Sequence, residues 1–123
     1  TRGSTSAVAI SSDEGLTWEK EKNLDFRETV VDPDIIRLDD GTYKLFFTTF
    51  SGEFGVGSQW VMSASSTDGI NFVVDDGNRV EPEEGELIVD PDIVELENGY
   101  RMYYGVFSEG REGSDILSAF CAG

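Results

Sequence analysis

Apolar and polar residues alternate over short stretches that are separated by turn residues, and no longer window keeps the 3.6-residue period of an amphipathic helix. The clearest stretch covers residues 42–50, where aromatic residues and threonines follow an Asp-Asp-Gly turn at positions 39–41. Runs rich in aromatic and β-branched residues and bounded by glycine are typical of β-strands. The pattern therefore predicts an all-β chain.

The strands recur as an internal repeat. The block VDPDI at positions 31–35 returns unchanged at positions 89–93, and further matches keep their order at similar separations. One complete repeat predicts four strands, at residues 34–38, 42–50, 58–65 and 70–74. The apolar run at 34–38 favours a strand that is buried on both faces. A four-stranded repeat of this kind is typical of a β-propeller blade.

The repeat is cut out of phase. Residues 6–20 predict the last two strands of a blade (6–11 and 16–20), residues 31–75 a complete blade, and residues 88–120 the first three strands of another. We expect a single β-propeller-like domain over residues 1–123, built from two four-stranded antiparallel repeats. Propellers typically have about four to eight blades. The ring is therefore expected to be completed by further polypeptide or by a homo-oligomer, with a domain-swapped dimer as the first expectation.

Composition excludes several kinds of function. The chain has 25 acidic and 9 basic residues and a formal charge of -16, which would repel nucleic-acid phosphates and anionic membrane surfaces. It has no histidine, so a Ser-His-Asp triad and histidine-ligated zinc are excluded. The single cysteine, Cys121, excludes an intrachain disulfide. Without an EF-hand spacing, we predict no metal site and no cofactor, and no cellular compartment is indicated.

Two turn motifs resemble those of sialidase-type propellers. Positions 11–18 fit the Asp box S-x-D-x-G-x-T-W, and positions 66–72 resemble its shortened form. Each copy contributes an acid, a glycine and an aromatic residue: Asp13, Gly15 and Trp18, then Asp68, Gly69 and Phe72. In such a turn the carboxylate accepts backbone N–H bonds, the glycine takes a positive φ and the aromatic ring tucks beneath the blade. We expect a structural role for both copies.

The run from VDPDI to the strand TYKLFF resembles the blades of five-bladed glycoside hydrolases of the furanosidase, β-xylosidase and arabinanase type. The resemblance implies a propeller that acts on carbohydrate. In those enzymes the aspartate before the proline faces the central channel as a base or a charge-modulating partner. By this resemblance, Asp32 and Asp90 are candidate catalytic residues. An inverting pair of acids would stand roughly 6.5–9.5 Å apart.

A non-catalytic interpretation stays open beside the catalytic one. An Asp-Pro pair also serves to start a strand, because proline removes an N–H that would otherwise be unpaired. The glutamate that supplies the acid in the resembling hydrolases has no counterpart in this chain, so we expect no turnover from the chain alone. The alternative is a carbohydrate-binding or scaffold propeller assembled from several copies.

The strand directions predict which residues share an end with the Asp-Pro pairs. The loops after the second strands and the link between the repeats lie at that end. The candidate carbohydrate-binding residues there are Phe50, Phe54, Trp60, Phe107 and Glu84. The remaining aromatic residues are predicted to fill the core between blades: Tyr43, Phe46, Phe47, Tyr103 and Tyr104.

Overall fold

The computed structural model describes residues 6–26, 29–52 and 56–123. These residues form nine β-strands: β1 (Ser6–Ile10), β2 (Glu19–Leu24), β3 (Val31–Arg37), β4 (Tyr43–Phe50), β5 (Gln59–Ser66), β6 (Val73–Val74), β7 (Glu86–Leu96), β8 (Gly99–Ser108) and β9 (Asp115–Ala122). The prediction of an all-β chain is confirmed. In the described part of the chain, no helix is long and apolar enough to cross a membrane.

The strands form three successive antiparallel groups. β1 and β2 pair as a hairpin, here called the first hairpin. β3 to β6 pair in chain order as the middle unit, and β7 to β9 pair in chain order as the last unit. A parallel pairing of β5 with β7, at Gln59 and Leu87 alone, joins the two units into one open seven-stranded sheet. The pairing within each unit is therefore hairpin-like, and the backbones of the two units pair at one position alone.

Several strand bounds differ from the sequence prediction. The strand predicted at 16–20 lies at Glu19–Leu24, because the preceding turn extends as far as residue 18. The strand predicted at 70–74 has only two residues, and the chain beyond it returns to β5 through the isolated pair Val61 and Val80. β3 and β7 begin before the Asp-Pro pair, since the strand continues through a bulge at that point.

A carboxylate network holds the short β6 in place. Asp75, directly after β6, accepts hydrogen bonds from Ser63 (2.5 Å), Ser65 (2.7 Å) and Lys44 (3.1 Å). Burial opposes ionisation of Asp75, but these hydrogen bonds and the Lys44 charge outweigh it and lower the pKa of its carboxyl group. The Asp75 side chain thus adds to the backbone pairing that attaches β6 to β5.

Two apolar layers separate the three groups. The first layer lies between the first hairpin and the middle unit, and its buried members are Leu24, Val30, Leu45, Phe47 and Ala64. The second lies between the middle and last units, and its buried members are Val61, Ile88, Ile93, Met102 and Val106. Burying one such large side chain contributes about 1.5–3 kcal/mol. The middle unit therefore sends alternate side chains of each strand to opposite layers.

Two positions predicted to be buried are exposed. Ile35, in the strand expected to be buried on both faces, is 49% exposed, and Tyr103, predicted to lie in the core, is 42% exposed. Tyr104 packs against the second layer as predicted. Each exposed residue lies on a side of its sheet that the rest of the described chain leaves uncovered. The sequence prediction was wrong there because it assumed neighbours on both sides of every unit.

Candidate functional site

Asp32 and Asp90 occupy equivalent bulges in β3 and β7. Both have a left-handed backbone, with φ of 51° and 52°. The strand register shifts around each of them, between Val31 and Asp34 and between Val89 and Asp92. A non-glycine residue in this region costs on the order of 1–3 kcal/mol. The same strained conformation therefore occurs at the same position of both repeats.

The carboxyl groups of Asp32 and Asp90 lie within hydrogen-bonding reach of each other. Burial raises the pKa of the Asp32 carboxyl, and the Asp90 charge and the hydrogen bond to Asp90 raise it further. Two acidic groups this close repel each other when both are ionised, so the protonated form of Asp32 is favoured relative to an isolated aspartate. A protonated Asp32 carboxyl donates a hydrogen bond as well as accepting one, which suits a ligand that carries hydroxyl groups.

This contact is shorter than the spacing needed for hydrolysis between the two groups. Inverting glycosidases hold their carboxyls roughly 6.5–9.5 Å apart to admit a water molecule, and retaining enzymes about 5–5.5 Å apart. Asp32 and Asp90 lie close enough to hydrogen-bond to each other. The pair is therefore closer together than the inverting spacing that the resemblance implies.

A groove of about 760 Å³ opens near the start of β7. The link at 82–86, the end of β8 and residues 56–58 line it. It brings together two of the predicted carbohydrate-binding residues, Glu84 and the exposed ring of Phe107. Asp90 lies four residues after Glu86, roughly 13 Å along the strand. The groove therefore lies at the start of β7, and the acid pair lies further along the same strand.

The other predicted carbohydrate-binding residues lie outside this groove. Phe50 and Trp60 stand at the end of β4 and the start of β5, in adjacent positions of the ladder, and both are half-buried. Phe54 falls outside the described residues. The structure therefore brings together two of the five predicted positions.

The first turn carboxylate is hydrogen-bonded in the predicted way, but its aromatic neighbour is not buried. Asp13 accepts the backbone N–H of Thr17 at 2.9 Å, its hydroxyl at 2.5 Å and the hydroxyl of Ser11 at 2.7 Å. These bonds, led by the Thr17 hydroxyl, lower the pKa of Asp13 to about 2. Trp18 is 63% exposed, and its Nε1 donates to the carbonyl of Gly15 at 3.0 Å. The ring lies over the turn itself, so the expectation that it tucks beneath the sheet is wrong.

The second turn carboxylate has an equivalent set of bonds. Asp68 accepts the backbone N–H of Asn71 at 2.7 Å, the side-chain amide of Asn71 at 2.7 Å and the backbone N–H of Ile70 at 2.9 Å. These bonds, the Asn71 backbone first, hold the pKa of Asp68 well below its usual range. Gly69 has a φ of 74°, and Phe72 packs against the first apolar layer. In both turns the acid accepts hydrogen bonds from its own turn, and its structural role stays a prediction.

Sequence reasoning missed the role of Asp34. Its Oδ2 accepts the backbone N–H of Ile93 at 2.7 Å, so it bridges β3 of the middle unit and β7 of the last unit. The signal was available, since Asp34 and Asp92 hold the same place in the repeated block. The bridging role of Asp34 could not be inferred from the repeat alone, because it depends on how the two units stack.

No group of three or more acidic or cysteine side chains within residues 6–26, 29–52 and 56–123 is arranged to hold a metal ion. Comparison with family models, with characterised proteins and with solved structures found no match to this chain.

Proposed function

We propose that this chain is part of a glycoside-hydrolase-like β-propeller that binds carbohydrate, with Asp32 and Asp90 at the binding site. The observation that carries the proposal is that two carboxyl groups, each at the same bulge of successive repeats, lie within hydrogen-bonding reach of each other. Stacking of the repeat units across apolar layers supports the propeller interpretation. The Asp-box likeness of the two hydrogen-bonded turns supports it as well.

The groove supplies contacts that suit a sugar. An exposed aromatic ring such as Phe107 packs against the apolar face of a pyranose or furanose. Glu84, on the same groove, offers a carboxylate that accepts hydrogen bonds from hydroxyls. The Asp32–Asp90 pair extends this polar surface along β7. An oligosaccharide lying along the strand would contact both regions.

The second candidate is a non-catalytic binding or scaffold propeller. The closeness of Asp32 to Asp90 favours it, because hydrogen-bonded carboxyls stand closer than the spacing that hydrolysis between them needs. The strained strand start in both repeats also favours a role in blade architecture. On this reading the acid pair orders the centre of the ring and performs no chemistry.

Isothermal titration calorimetry with linear arabino- and xylo-oligosaccharides tests the binding proposal. We expect binding by the wild-type chain, and weakening of about tenfold or more in Asp32→Asn and Phe107→Ala, in line with the loss of a hydrogen bond or a stacking contact. Asp76→Asn, an exposed acid outside the groove, is the matched control and should bind like the wild type. If the folded wild-type chain binds neither the arabino- nor the xylo-oligosaccharides, carbohydrate binding is contradicted. The scaffold function then remains as the proposal.

Aryl glycosides test catalysis separately. We expect no measurable turnover from the purified chain, because it lacks the acid of the resembling hydrolases. Turnover that is abolished in both Asp32→Asn and Asp90→Asn, with unchanged circular dichroism, would show that the pair is catalytic after all.

A further inference from the structure

The contact between the middle and last units follows a recognisable pattern. The bridging carboxylate of Asp34 meets the N–H of Ile93, which is only 8% exposed, and Pro91 beside it is buried. Ile36 and Phe46 of the middle unit pack against the same layer. One face of a unit, with an aspartate and two large apolar side chains, thus covers the Asp-Pro side of the unit that follows.

The last unit presents the same kind of face with no cover. Asp92 holds the place of the bridging aspartate and is exposed. Val94 and Tyr103 hold the places of Ile36 and Phe46, and they are 36% and 42% exposed. The outer face of the last unit therefore resembles the face by which the middle unit contacts the last unit, but nothing in the described chain packs against it.

The receiving half of that interface is also present and open. A groove of about 340 Å³ separates β1 from β3, and Pro33 and Ile35 line it. Ile35 is exposed where its counterpart Ile93 is buried. The first hairpin covers only part of this side, because it supplies two strands where a whole unit would supply four. In the described chain β1 pairs with β2 alone, so its edge toward the groove is open.

We propose that this groove receives β7 and β8 of a second copy of this chain, with Asp92 of that copy accepting the N–H of Ile35. Each chain carries one donor face and one receiving groove, so the contact is head-to-tail. It continues the interface seen between the middle and last units. It would also place Asp90 of one copy beside Asp32 of the other.

In this arrangement β1 of the second copy replaces β9 beside β8. Both β1 and β9 occupy the position of β5 in the repeat, so they compete for the place beside β8. β9 pairs with β8 along its whole length, but every residue from 116 to 122 is exposed, so backbone pairing rather than side-chain burial holds it. β1 to β8 then amount to two full four-stranded units per chain. Two copies complete four units, which is within the range of closed propeller rings and closes with two-fold symmetry.

Light scattering after size exclusion, at about 0.15 M salt to screen the acidic surface, tests the assembly. We expect twice the 13.5 kDa mass of one chain. Val94→Arg on the donor face and Ile35→Arg in the groove should each give monomers. Leu16→Arg, an exposed apolar position on the first turn, is the matched control and should stay dimeric. A monomeric wild type, or a dimer in either interface variant, would overturn the proposal.

Mixing the two interface variants tests the head-to-tail geometry. A heterodimer of Val94→Arg with Ile35→Arg keeps one intact donor face and one intact groove, so the equimolar mixture should recover dimer mass. A mixture that stays monomeric would rule out this pairing. If an arginine variant loses its β-sheet circular dichroism, Asp92→Ala replaces it, with association weakened about tenfold expected and no change contradicting the bridge. The assembly needs no bound sugar, so it and the proposed function fail independently.

Discussion

At the scale of single residues, Asp32 combines two unfavourable features in one position. Its backbone is left-handed, and its carboxyl is held beside that of Asp90. A raised pKa means that the folded state binds a proton more tightly than the unfolded chain does. This contribution to stability is fully present below the ordinary aspartate pKa of about 3.9 and is lost as pH rises through the folded pKa.

We therefore expect Asp32→Asn to stabilise the protein at pH 7. The amide is neutral, keeps a hydrogen bond to Asp90 and tolerates a positive φ well. The gain should be within about 1 kcal/mol, because the residue is exposed. Urea unfolding at pH 3.5, 5 and 7 measures it, and the difference from wild type should grow with pH.

Asp32→Ala is the control for this prediction. Alanine also removes the charge, but it loses the hydrogen bond and resists the left-handed backbone. We expect the alanine variant to be less stable than the asparagine variant at every pH. A gain in Asp32→Asn that is the same at all three pH values would contradict a raised pKa of the Asp32 carboxyl.

At the scale of elements, the middle and last units are joined by few backbone bonds. β5 and β7 pair at one position, so apolar packing and the Asp34 bridge carry most of the contact. The bridge matters because Ile93 is buried, and a buried N–H without an acceptor costs about 1–3 kcal/mol. One side chain thus satisfies a backbone group of the neighbouring unit.

Asp34→Ala is expected to lower the free energy of unfolding by about 1–3 kcal/mol, because it leaves the N–H of Ile93 without its acceptor. Hydrogen exchange should show faster exchange of the Ile93 amide in this variant. Glu97→Ala, an exposed acid in the turn between β7 and β8, is the control and should change stability by no more than about 0.5 kcal/mol. If Asp34→Asn, which keeps an acceptor oxygen, is as damaging as alanine, the bridge is not the cause.

At the scale of the whole molecule, charge repulsion opposes folding. The formal charge is -16, and the described residues form two salt bridges, Lys44–Asp75 and Arg111–Asp115. Most of the 25 acidic groups therefore take part in neither salt bridge, and they outnumber the 9 basic groups. Self-repulsion of this kind destabilises a compact state and is screened by salt over a Debye length of about 10 Å at 0.1 M.

We expect Tm to rise by a few degrees between low and roughly 0.5 M sodium chloride, equivalent to about 1 kcal/mol. The rise should shrink near pH 4, where many carboxylates are protonated. Differential scanning calorimetry at both pH values measures this. A Tm that is independent of salt at pH 7 would mean that the acids are already compensated in the folded state.

The sequence by itself determined the features that depend on neighbouring residues. Alternation and turn residues predicted β4 and β5 to within one residue at each end, and the repeated VDPDI block identified Asp32 and Asp90 as equivalent positions. The acid-and-glycine turns were also predictable, because each carboxylate bonds to groups three or four residues away. These features are local, because the residues that produce them lie within a few positions of one another in the sequence.

Only the tertiary structure decided which side chains meet. The direct contact of Asp32 with Asp90 and the bond from Ile93 to Asp34 join residues 58 and 59 positions apart, and they depend on how one unit stacks on another. The exposure of Ile35 and Tyr103 has the same origin, because an apolar side chain is buried only when another unit covers it. Local pattern sets the side of the sheet on which a residue lies. Packing between units decides what that side touches.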